Sequence, residues 1–131
     1  MKNNHRFIYN NDGWEPYIRY NAPLELKHIL ESVNEMRRTQ VDTLCWGVAD
    51  EVVIYPSNKA EIIPNIPDNI MAVLHDFLAR GIDPFGHVVK EARQASLAIF
   101  ASVRMNDCHH KSEPDGPLTT KFWKEHQHYR L

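Results

Sequence analysis

Between Leu24 and Arg38 the apolar residues Leu26, Ile29, Leu30, Val33 and Met36 are spaced by three and four, which puts all five on one face of a helix. Glu25 near the start and Arg37 and Arg38 near the end suit the helix macrodipole. Runs of β-branched and aromatic residues flank this stripe: Arg6 to Asn11 (Arg-Phe-Ile-Tyr-Asn-Asn) before it and Val41 to Val48 (Val-Asp-Thr-Leu-Cys-Trp-Gly-Val) after it. A strand, an amphipathic helix and a second strand in that order predict a parallel βαβ unit, with the second strand buried on both faces.

The rest of the chain extends the alternation. Ala49 to Pro67 reads as a long excursion with one short extra strand at Val52-Val53-Ile54-Tyr55, interrupted by Pro56, Pro64 and Pro67. Asp68 is a good N-cap for a helix whose stripe is Ile70, Val73, Leu74, Phe77 and Leu78, closed by Gly81. Asp83-Pro84 starts a further helix with Phe85, Val88, Val89 and Ala92 inward, and Leu97 to Val103 follows as a third buried strand. Pro16 and Pro23 argue against a helix from Trp14 to Pro23, so that stretch is expected to be an ordered aromatic loop. The expected class is α/β with parallel strands, in one domain over residues 1–131.

Composition excludes several functions. With 15 Lys+Arg against 17 Asp+Glu and a net charge of -2, the chain has no basic block for nucleic acid or for an acidic membrane. No apolar run approaches the ~18 residues of a membrane span, and Met1 to His5 does not lead into a secretory segment, so a cytoplasmic protein is expected. Cys45 and Cys108 are far apart and read as reduced thiols. Neither Gly-x-Gly-x-x-Gly, Walker A nor Gly-x-Ser-x-Gly occurs, which leaves no signature of a dinucleotide, nucleotide or other cofactor.

Chemistry gathers where the strands end, the side on which parallel α/β folds bind ligands. Arg104-Met105-Asn106-Asp107-Cys108-His109-His110 follows the third strand, Asn10-Asn11-Asp12 ends the first, and Cys45-Trp46 lies near the end of the second. Amides, carboxylates and a guanidinium can hydrogen-bond sugar hydroxyls while an indole face stacks on the ring. The expected sugar-facing residues are therefore Asn10, Asn11, Asp12, Trp46, Arg104, Asn106, Asp107 and His109. The plainer alternatives are a turn for Asn10-Asn11-Asp12, core packing for Trp46 and a sealing ion pair for Arg104 with Asp107. His109-His110 with Asp107 is also a candidate metal set for a hydrolase, although adjacent residues on an extended strand point to opposite sides. The cysteines have no base partner at motif spacing, and Phe122-Trp123-Lys124-Glu125-His126 reads as an aromatic platform or a short helix.

The segments "RFIYNNDGW", "TQVDTLCWGVADEVVIYPS", "ARGIDPFGHVVKEARQASLAIFASVRMNDCHH" and "LTTKFWKEHQHYRL" together resemble the amino-terminal part of the glycoside-hydrolase-like (β/α)8 barrel proteins of bacteria. The resemblance implies a partial TIM barrel comprising the first three βα units, with a carbohydrate as ligand. In retaining enzymes of this barrel type the catalytic carboxylates stand after strands four and seven, which this chain does not reach. A chain of this kind would position sugar but be inactive alone, needing the carboxyl-terminal remainder of the barrel or self-association to cover its sheet. A rival expectation is a non-catalytic carbohydrate-binding or interaction module that folds at this length.

Overall fold

The computed structural model describes residues 6–20, 23–49, 53, 58–61, 68–104 and 119–129. Among them, a three-stranded, all-parallel open sheet runs in the order β1 (Ile8–Asn11), β2 (Thr43–Ala49), β3 (Ala98–Val103). Between β1 and β2 come α1 (Glu15–Arg19) and α2 (Leu26–Met36), and between β2 and β3 come α3 (Asp68–Ala79) and α4 (Pro84–Gln94). A short α5 (Lys121–Glu125) and a 3-10 turn at Gln127–Tyr129 follow. The expected α/β class with parallel strands is what the chain forms. None of its described helices is long and apolar enough to cross a membrane.

Register determines which side chains share a face. Tyr9, Leu44 and Ile99 stand side by side, as do Asn11, Trp46 and Ala101. Successive residues of a strand alternate sides, so Ile8–Thr43–Ala98 and Asn10–Cys45–Phe100 form rows on the other face. The helices cover the first face. Ile29 and Val33 of α2, Phe77 of α3 and Val88 and Ala92 of α4 share one core with Leu44, Trp46, Leu24 and Leu97, and Tyr9 and Ile99 pack against it. Arg37, the C-cap of α2, and Glu91 of α4 form an ion pair across the helix layer.

Three expectations change. Glu15–Arg19 is helical despite Pro16, because proline in the first turn has no intrahelical amide to lose. This helix is held to α2 by Ser32 Oγ donating to Glu15 at 2.8 Å and Arg19 bonding Glu35 at 3.1 Å. The aromatics Trp14 and Tyr17 pack on Ile70 and Leu74 of α3. The third strand is not buried: it lies at the edge of the sheet among the described residues and leaves Phe100, Ala101 and Val103 exposed. Burial of β2 on both faces holds at Thr43, whereas Cys45, Gly47 and Ala49 on that side are half-buried.

The helix ends follow local chemistry. Gly81 has φ +70 and closes α3 as the glycine signal predicts. Asp83 is the N-cap of α4 with Pro84 directly after it. The turn from α4 into β3 places a non-glycine residue, Ser96, at φ 60, a conformation that costs roughly 1–2 kcal/mol in an L-residue. Of the extra strand expected at Val52 to Tyr55, only Val53 lies among the described residues; it forms an isolated antiparallel bridge with Ala49 and donates its amide to Glu61 O at 2.8 Å.

Candidate functional site

Because all three strands run the same way, their carboxyl ends open on one rim. Arg104, directly after β3, forms an ion pair with Asp12, directly after β1. The link spans the end of β2. Asn10 Nδ2 lies 3.5 Å from the same Asp12 oxygen, adding a weak donor from the face of the sheet opposite the helices. Both members of the pair are about half exposed, so they remain open to a ligand from solvent.

Two glycines make this meeting possible. Gly13 has φ +78 and its backbone lies against Gly47 O, while a Cβ on Gly47 would fall 2.5 Å from Asp12 O. Neither position tolerates a side chain, since backbone atoms cannot move aside as a flexible side chain does. Gly47 also marks the irregularity in the β2–β3 register between Gly47 and Ala49. Neither glycine is among the residues that the sequence analysis singles out for the site. A glycine inside an otherwise β-branched run is itself a signal of close backbone approach.

The eight expected sugar-facing residues therefore divide. Asn10, Asp12 and Arg104 come together on the rim. Asn11 and Trp46 are neighbours in register on the helix-covered face, each only 3% exposed. Asn11 closes the turn after β1, its Oδ1 accepting the Gly13 amide at 2.8 Å, and its Nδ2 is sealed without a hydrogen bond. Trp46 is core, with its Nε1 3.3 Å from where a Gly13 Cβ would stand. Stacking of a sugar on Trp46 and direct contact through Asn11 are thus replaced by packing and turn roles, because the strand's alternation turns both residues toward the helices. Asn106, Asp107 and His109 lie outside the described residues, as do Cys108 and His110.

No group of three or more His, Cys, Asp or Glu suited to a metal ion occurs among the described residues. Cys45 is a half-buried free thiol. Tyr20 hydrogen-bonds Glu31, which together with partial burial pushes its hydroxyl above the usual phenol range. The tail segment does form a short helix: Phe122 and His126 pack at 4.5 Å between ring centroids, and Glu61 accepts the Lys121 amide at 2.7 Å, capping α5.

Set against known proteins, the chain matches no protein-family model and no curated sequence. The α/β class with an open parallel sheet is thus the level at which the protein is defined by its own fold.

Proposed function

We propose that this chain is a carbohydrate-recognising α/β unit, equivalent to the first three βα units of a glycoside-hydrolase-like (β/α)8 barrel, that contributes hydroxyl-binding groups. The observation that carries the reading is the Asp12–Arg104 pair, which joins the ends of the two outer strands over the middle one. A carboxylate beside a guanidinium offers acceptors and donors within one short span, a good match to neighbouring sugar hydroxyls. With Trp46 buried, recognition rests on hydrogen bonds from Asn10, Asp12 and Arg104.

The test is a glycan array read with labelled wild-type chain and with Asp12→Ala and Arg104→Ala. Binding by the wild type that both substitutions weaken at least tenfold supports the reading, and absence of binding to any glycan overturns it. A second reading, an interaction module that joins other βα units, is favoured by the apolar residues left on the outer strands: Ile8 is 59% and Val103 56% exposed. Parallel sheets ordinarily have both faces covered, so such residues suit contact with a barrel remainder or a further copy. Association of the wild-type chain in a sedimentation experiment, lost on Ile8→Lys, distinguishes this reading from a monomeric sugar binder.

A further inference from the structure

The first turn of α2 is tied by two reciprocal bonds: the Glu25 amide donates to His28 Nδ1 at 3.0 Å, and the His28 amide donates to Glu25 O at 2.9 Å. Glutamate or glutamine is the usual side chain at the third helical position in such a cap, accepting the N-cap amide at any neutral pH. An imidazole nitrogen accepts only while its lone pair is free. We propose that the amino terminus of α2 is a proton-sensitive cap, closed while His28 is neutral and opened when its imidazole takes a proton.

Protonation puts an N–H against the Glu25 N–H and a positive charge at the positive end of the helix macrodipole, so both changes favour release. Among the described residues, the groups around His28 are on two elements. From the end of α1, the Tyr20 ring stacks on the imidazole with centroids 4.6 Å apart, and the Arg19 guanidinium lies 5.6 Å from the Tyr20 centroid. On the α2 side, Glu31 accepts from the Tyr20 hydroxyl and Glu25 is bonded to Lys27 at 3.0 Å. Those carboxylates attract an imidazolium but do not restore an acceptor to the Glu25 amide. The hydrogen bond from Lys27 and its charge hold the Glu25 carboxyl below the usual range, so Glu25 keeps its charge across the interval in which histidine titrates.

The cap matters because Leu24 and Ile29, on either side of it, are core residues. With β1 and β2 parallel, α2 runs back along the sheet, and its first turn lies toward the rim end. Opening the cap therefore loosens the helix layer on the side where Asp12 and Arg104 stand.

The test is amide hydrogen exchange of residues 25–29, corrected for intrinsic rates, at about pH 8 and about pH 5. Wild-type protection should fall about fivefold at the lower pH, the size of a lost cap. His28→Gln, which keeps an acceptor that does not titrate, should show equal protection at both values. The wild type alone supplies a second readout: long-range 1H–15N spectra should give Nδ1 without a proton at the higher pH, and the Glu25 amide shift should move as Nδ1 becomes protonated. Equal wild-type protection at both pH values, a response that persists in His28→Gln, or a Glu25 amide indifferent to the imidazole would overturn the proposal.

Discussion

The two faces of the sheet are built from similar residues and meet different fates. On one, Leu44 is fully buried between Tyr9 and Ile99 beneath three helices. On the other, Ile8 stands largely in solvent two residues before Asn10, and Cys45 is half-buried between Asn10 and Phe100. Hydrophobicity alone does not separate the rows. What separates them is the amphipathic helices returning between parallel strands, all of which deliver their apolar faces to one side.

The comparison can be broken or sharpened by substitution. Leu44→Ala, on the covered face, should cost about 2–5 kcal/mol in urea unfolding, since it removes a fully buried side chain from the shared core. Gly47→Ala comes next at about 1–3 kcal/mol, because its new methyl group presses on backbone at Asp12. Asp12→Asn should change stability by at most about 1 kcal/mol, as a half-exposed ion pair is strongly screened, while it removes the charge on which the proposed sugar contact depends. Ile8→Thr, on the bare face, should stay within about 0.5 kcal/mol. A loss near that of Leu44→Ala would mean that the bare face is covered in solution, and a dependence of the loss on protein concentration would identify another copy as the cover.

Much of the fold was legible because it rests on short-range rules. The stripe from Leu26 to Met36 matches α2, the Asp83-Pro84 signal starts α4, and Gly81 ends α3 in the left-handed conformation. The expected strands agree with β1, β2 and β3 to within two residues at either end. Pro16 misled because its effect depends on where in a helix it falls, and no neighbouring residue marks Glu15 as the start. The site was legible only as a neighbourhood. That Asp12 and Arg104 follow strand ends could be read from residue order, whereas their contact across a sequence separation of 92 required the strands to lie in the order β1, β2, β3. Residue type left Asn11 and Trp46 between sugar binding and the plainer turn and core roles; register, which turns both inward, decides for the latter.

The amino-acid sequence by itself determined where the strands and the helices other than α1 form, since spacing, caps and proline positions act within a few residues, and their alternation implied parallel strands. Only the tertiary structure decided which face of the sheet is covered, which of two adjacent asparagines reaches solvent, and that Gly13 and Gly47 let the strand ends close on each other. Those outcomes depend on contacts between segments distant along the chain, where packing and backbone clearance choose among arrangements that local preference leaves equal.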